Sequence, residues 1–227
     1  MPTLNWMQAP QAVLFDLDGT LADTAGDLGG ALNRLRRDRG LAPMPLDTLR
    51  PYASAGARGL IGVGLDIHPG QDAFEPTRTA FLDAYTQCLS ETTALFDGVA
   101  ELLDTLEARG LKWGVVTNKP HRFTIPVIEG LGLQTRAGTV ISGDSTAHAK
   151  PHPLPLLTAC EQLGVPPAAT LYVGDDLRDI QAAKAAGMPS AAAAWGYIGH
   201  NGEIDSWGAD VIAALPLDLL SLLGPRG

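Results

Sequence analysis

The apolar run 12–15 (Ala-Val-Leu-Phe) stops at Asp16-Leu17-Asp18-Gly19-Thr20-Leu21, and no other stretch restricts the fold as much. A short, continuous apolar run is the pattern of a strand covered on both faces. It ends in two carboxylates spaced two residues apart, and residues so spaced on a strand point to the same side. Asp16 and Asp18 are therefore expected to face one pocket at the C-terminal edge of a sheet. There one carboxylate can act as nucleophile while its neighbour moves protons, with a hard cation compensating the crowded charge. An acidic turn closing an ordinary strand is the plainer alternative, since Asp and Gly are common in turns. The whole string in this setting favours chemistry.

Similar apolar runs recur at 113–117, 139–142, 170–173, 190–194 and 210–212, and the first spans 13–16. Amphipathic helical patterns fall between them at 99–109, 122–130, 153–163 and 177–186, with Gly110, Gly130, Gly164 and Gly187 as C-terminal stops. This alternation predicts an α/β fold, a doubly wound parallel sheet with right-handed crossovers. Between 24 and 96 the rhythm breaks. No strand is legible there, only helical patterns at 25–39, 46–52, 58–64 and 72–90. That is too long for a simple crossover, so residues 24–96 are expected to form an inserted α-helical cap domain. The α/β core would then comprise 1–23 and 97–227, with Phe96-Asp97-Gly98-Val99 as the return linker. An insertion at the C-terminal edge of the sheet can cover the place where ligands bind in open α/β folds.

Among the 227 residues, Lys plus Arg number 16 and Asp plus Glu 25, a net charge of −9. Such acidity argues against nucleic acid or an anionic membrane as the main partner. An anionic substrate would need local positive charge. Cys88 and Cys160 read as buried free thiols suited to a reducing cytosol. The first twenty residues show no basic segment followed by a cleavable apolar one, so a cytoplasmic location is expected. The alanine-rich stretch 182–195 is interrupted by Lys184, Gly187 and Pro189 and is not expected to span a bilayer. His68, His121, His148, His152 and His200 show no metal-ligand spacing.

Three further clusters stand at strand ends. Thr117 and Asn118 close the second strand with a hydroxyl and an amide that can donate to phosphoryl oxygens, although both also suit a helix N-cap. Lys150, before Pro151, offers an ammonium that can neutralise crowded carboxylates and a transferring phosphoryl group. It also reads as a surface lysine ahead of a helix. Gly174-Asp175-Asp176, with Asp179 beyond, ends another apolar strand in carboxylates, which in a first helical turn also complement the helix dipole.

In order and placement these motifs resemble the haloacid dehalogenase-like hydrolase superfamily. They match its motifs at Asp16–Thr20, Thr117, Lys150 and Gly174–Asp179. The runs VVTNKP (115–120) and VGDDLRDI (173–180) are most similar to the phosphoglycolate phosphatase type. The branch acting on N-acetylmuramic acid 6-phosphate is close to it. The resemblance implies a Mg²⁺-dependent phosphomonoesterase working through an aspartyl-phosphate on a small phosphorylated metabolite, as a monomer or homodimer. Asp16 would be the nucleophile, and Asp18 the proton donor and then acceptor. Thr117 and Lys150 would hold the phosphoryl oxygens. Mg²⁺ would be bound by Asp16, the Asp18 main-chain carbonyl and Asp175. Asp179 would orient Lys150 or the metal's waters rather than bind metal directly, with Asp176 sharing that supporting role. Gly19 fits a turn that a side chain would obstruct.

In the cap, Ser54, Gly56 and Arg58 lie in a small turn opening a helix, where amides and a guanidinium can receive an anionic substrate. An exposed, flexible loop is the plainer reading. Tyr197 can approach the pocket or simply pack. A dehalogenase, a phosphomutase and a phosphorylation-switched binding module share parts of this pattern.

Overall fold

The structure, a computed structural model, describes residues 4, 6, 9–199 and 202–223. The chain opens with β1 (Ala12–Phe15), wholly buried, and the short β2 (Ala22–Asp23). Four helices follow, α1 (Ala25–Asp38), α2 (Leu46–Leu49), α3 (Gly56–Leu65) and α4 (Phe74–Gln87), then β3 (Ala94–Leu95). The remainder alternates as α5 (Val99–Ala108), β4 (Lys112–Val116), α6 (His121–Gly130), β5 (Val140–Ile141), α7 (Leu154–Leu163), β6 (Thr170–Gly174), α8 (Leu177–Ala185) and β7 (Ser190–Ala193). It closes with β8 (Val211–Ala213) and α9 (Leu219–Leu222).

Six strands form one sheet in the order β5-β4-β1-β6-β7-β8, and every pairing is parallel. This is the doubly wound sheet expected from the alternation. Val13 and Phe15 pack into one apolar cluster with Leu102 and Val127, while Ala12 and Leu14 pack into another with Leu156 and Cys160. Both faces of β1 are thus covered, which is why its residues are apolar without alternation. The chain leaves β1 toward β4 and β5 and returns on its other side at β6, so the strand order reverses at β1. Ligands in open α/β sheets bind at the carboxyl ends of the strands at such a reversal. Asp16, Thr117 and Asp175 directly follow β1, β4 and β6, which are neighbours in the sheet.

The helices α1 to α4 share an apolar cluster of their own, including Leu28, Leu32, Leu60, Phe81 and Tyr85, joined by Phe123 of α6. One expectation for this insertion needs correcting. The sequence shows no strand between 24 and 96, yet Ala94–Leu95 pairs antiparallel with Ala22–Asp23. Strands of two residues leave no periodicity to detect, and their pairing depends on segments far apart in the chain. The expected limits at 24 and 96 adjoin this ladder, where the Phe96 amide donates to the Leu21 carbonyl at 3.1 Å. The helical pattern at 46–52 also resolves into two pieces. α2 ends at Leu49 and a tighter 3-10 turn, Arg50–Ala55, runs into α3. The run at 139–142 pairs only over Val140–Ile141. Cys88 and Cys160 are free thiols, and no helix among the described residues is long and apolar enough to cross a membrane.

Candidate active site

Asp16 stands one residue past β1, its amide donating to the Val173 carbonyl at 2.9 Å. Its Oδ1 accepts from the Leu17 amide at 2.8 Å and lies 3.0 Å from Lys150 Nζ. Lys150 is placed by Asn118. The Asn118 amide nitrogen donates to the Lys150 carbonyl and its oxygen accepts from the Lys150 amide, both at 2.9 Å. The Asn118 side chain, expected to donate to phosphoryl oxygens, thus also holds the Lys150 backbone. Both ends of that amide are occupied by the backbone of Lys150.

Lys150 Nζ also meets the Val116 carbonyl at 2.9 Å, the Tyr172 hydroxyl at 2.8 Å and Asp179 Oδ1 at 2.7 Å. An ammonium has three protons, so these acceptors and Asp16 must share them. Burial alone would favour the neutral amine, but Asp16 and Asp179 outweigh it and hold Lys150 above the usual lysine range. Burial pushes the Asp179 carboxyl up to about 6 against the opposing pull of Lys150. Asp179 Oδ2 accepts from the Asp176 amide at 3.1 Å, so both of its oxygens are engaged.

Asp175 accepts from the Thr20 hydroxyl at 3.2 Å, from the Ser54 hydroxyl of the cap at 2.6 Å and from the Tyr197 amide at 2.9 Å. Burial first, and then the charges of Asp16 and Asp179, push its carboxyl well above the usual range. Carboxylate oxygens of Asp16, Asp175 and Asp179 all lie within 4.8 Å of one another. Gly19 packs against this cluster at φ 85°, and a Cβ there would sit 2.0 Å from Asp175 Oδ2. Gly19→Ala is accordingly expected to destabilise by about 1–3 kcal/mol from backbone strain alone, with further loss from displacing Asp175. A denaturant midpoint equal to the wild type's would contradict this.

The Asp18 carboxylate turns away from that cluster. Its Oδ1 accepts from the Thr24 hydroxyl at 2.5 Å and from Lys119 Nζ at 2.9 Å. The carboxylates close enough together to share a metal ion are those of Asp16, Asp175 and Asp179, not that of Asp18. Lys119 is buried, and Asp18 overcomes the opposing effect of burial to hold it above the usual lysine range. Asp176 caps α8, and Arg178 grips both of its oxygens, at 2.7 and 2.9 Å. Although burial works the other way, Arg178 holds the Asp176 carboxyl below its usual range. The same guanidinium donates to the Ser54 carbonyl at 2.9 Å, tying α8 to the cap loop.

One cavity of about 250 Å³ lies between the sheet edge and the cap. Asp16, Asp18, Thr117, Asn118, Lys119 and Lys150 line the sheet side. Ser54, Gly56, Arg58, Arg78 and an apolar group that includes Leu28, Phe81 and Tyr85 line the cap side. Asp176 and Asp179 also line it, while Gly19 and Asp175 do not. No histidine lines the cavity, and His200 is outside the described residues. Tyr197 lies at the cap junction instead, its hydroxyl accepting from the Thr24 and Ala25 amides at 2.6 and 2.9 Å.

Nothing in the sequence alone marks Lys119, Arg178, Arg78 or Tyr85 as part of the site. Lys119 comes nearest to a signal, as a lysine two residues past Thr117 at a strand tip. The others read as ordinary helix residues.

Residues 13–193 match the model of the haloacid dehalogenase-like hydrolase family. The chain belongs to that family. It is 46% identical over 213 residues to the phosphoglycolate phosphatase of Xanthomonas campestris pv. campestris strain 8004, covering 94% of this chain and 96% of that one. It is 42% identical over 213 residues to the N-acetylmuramic acid 6-phosphate phosphatase of Pseudomonas putida, with the same coverage of 94% and 96%. The crystal structure of a predicted phosphoglycolate phosphatase from Haemophilus somnus 129PT superposes with a TM-score of 0.83 at 29% identity, covering 96% of this chain and 100% of that one. Within the haloacid dehalogenase-like hydrolases these relatives are phosphatases, so the chain is a phosphoric monoester hydrolase, as the motifs implied.

Proposed function

We propose that this phosphomonoester hydrolase acts on the phosphate ester of a hydroxy acid, with 2-phosphoglycolate as the first candidate. The division of the cavity carries the reading. Asp16 and Lys150 occupy its sheet side, and Arg58 and Arg78 its cap side. A phosphoryl group held against Asp16 leaves the alcohol half facing the cap. There a guanidinium can engage a carboxylate through paired hydrogen bonds. The substrates named for both curated relatives combine a phosphate ester with a carboxylate. The free thiols Cys88 and Cys160 support a cytoplasmic setting.

In this reading the Asp16 carboxylate attacks phosphorus and the ester oxygen departs, leaving an aspartyl-phosphate. Asp18 gives the departing alkoxide its proton and then takes one from the water that hydrolyses the intermediate. The Thr117 hydroxyl and the Lys150 ammonium hold phosphoryl oxygens as charge redistributes, which is most of what phosphoryl transfer asks of a protein. Asp179 keeps Lys150 aimed, and Asp176 braces Arg178 against the cap loop. Asp16, Asp175 and the Asp18 main-chain carbonyl would hold Mg²⁺. The donors are hard oxygens, and the burial and mutual repulsion that raise Asp175 are of the kind a dication relieves. When bound, the ion supplies Lewis-acid polarisation of the phosphoryl group.

One observation favours a second substrate. Leu28, Phe81, Leu82 and Phe123 also line the cavity. The single methylene of 2-phosphoglycolate would leave them uncovered, whereas the ring, acetamido methyl and lactyl groups of N-acetylmuramic acid 6-phosphate would cover them.

Phosphate release with Mg²⁺ tests the reading by comparing specificity constants for these two esters and for glucose 6-phosphate, which has no carboxylate. One acid-bearing ester is expected to be preferred by about 100-fold, or ~2.7 kcal/mol of transition-state binding. Arg58→Ala should raise KM for that ester and leave glucose 6-phosphate nearly unchanged. Equal specificity constants for esters with and without the carboxylate would refute the assignment.

A further inference from the structure

We propose that the Tyr85 hydroxyl determines specificity, donating a hydrogen bond to an oxygen carried by the alcohol half of the substrate. Tyr85 belongs to α4 of the cap and is 1% exposed, yet it lines the cavity. Its ring packs on Phe123 with centroids 5.3 Å apart, inside the cap's apolar cluster. Among the described residues its hydroxyl has no hydrogen-bond partner. A buried hydroxyl left in that state destabilises a fold, and native structures rarely keep one without a reason. Packing is not the reason, because phenylalanine would fill the same apolar surroundings without the unmet bond.

The position of Tyr85 indicates what would complete that bond. The Lys119 ammonium sits over the Tyr85 ring, 4.7 Å from its centroid, and the same ammonium lies 2.9 Å from Asp18 Oδ1. That ammonium also bears on the Tyr85 oxygen, but it can only donate, so the phenolic proton still has no acceptor among the described residues. Tyr85 therefore flanks Asp18, the group proposed to face the departing oxygen, rather than Lys150, which faces the phosphoryl group. Burial pushes the phenol up to about 12, so it keeps its proton throughout the working range and serves as a donor. The matching chemistry is an acceptor oxygen on the leaving-group skeleton, a carboxylate, carbonyl, ether or hydroxyl. A simple aryl or alkyl ester lacks one. This inference rests on the phosphatase reading above and adds to it the cap residue that inspects the leaving group.

The experiment is Tyr85→Phe, assayed by phosphate release on 2-phosphoglycolate, N-acetylmuramic acid 6-phosphate and phenyl phosphate, with a thermal melt of the same protein. kcat/KM is expected to fall roughly 10- to 100-fold on the oxygen-bearing ester that the enzyme prefers. Phenyl phosphate should be hydrolysed at nearly the wild-type rate, and Tm should be unchanged or higher because an unmet polar group has been removed. Equal effects on all three esters, or none on any, would overturn the role, as would a lowered Tm with uniformly reduced rates. A wild-type enzyme releasing phosphate from none of the three would instead overturn the hydroxy-acid substrate reading on which this inference rests.

Discussion

Asp16→Asn is expected to lower kcat by roughly 10⁴-fold or more, the scale on which removal of a catalytic nucleophile acts in well-studied hydrolases. The fold should survive the change. Asparagine is close to isosteric with aspartate, and its amide oxygen can still accept from the Leu17 amide. Lys150 retains Asp179, Tyr172 and the Val116 carbonyl as partners. Circular dichroism and the melting transition should therefore stay near those of the wild type while phosphate release disappears. A second readout comes from the intermediate: wild-type protein quenched during turnover should carry an acid-stable, hydroxylamine-labile phosphoryl group that the variant lacks. Substantial turnover in the variant, with mass spectrometry showing no deamidation back to aspartate, would remove Asp16 from the role of nucleophile.

Lys150→Met should differ in kind, because it harms stability as well as rate. Lys150 is nearly inaccessible and faces two carboxylates, Asp16 at 3.0 Å and Asp179 at 2.7 Å. Removing one partner of a buried ion pair typically destabilises by about 3–5 kcal/mol, since the charge left behind is neither solvated nor paired. For a chain of this length that corresponds to a fall in Tm of roughly 6–20 °C. Adding Asp179→Asn to Lys150→Met should recover part of the loss, because the orphaned charge is then removed, and the double-mutant cycle measures the coupling directly. The double variant should remain inactive, having regained stability without regaining a phosphoryl-binding ammonium. A Lys150→Met protein that melts with the wild type would show that the buried triad is not the organising feature described above.

How much of the site was legible in the sequence follows from the range of the forces involved. Asp16, Thr117 and Asp175 each come directly after an apolar strand, and strand character is a local property that four or five residues suffice to display. Lys150 follows its strand only after an irregular stretch. It is readable only through its place in an ordered motif set. Asn118 shows where local reading is incomplete. An amide beside Thr117 looks equally suited to a ligand or to a neighbouring backbone, and its bonds to the Lys150 loop, 32 residues away, appear only in the fold.

The strand tips, the parallel sheet and the presence of a helical insertion were thus set by the chain's own pattern of apolar runs and the residues that end them. The cavity's far wall was decided only by folding. Lys119 meets Asp18 across 101 residues of chain, and Ser54 reaches Asp175 across 121. Tyr85 enters the pocket because α4 packs on α1 and Phe123. No local periodicity encodes such encounters. They arise when separate apolar faces are buried against one another, and burial brings along whatever polar groups those faces carry.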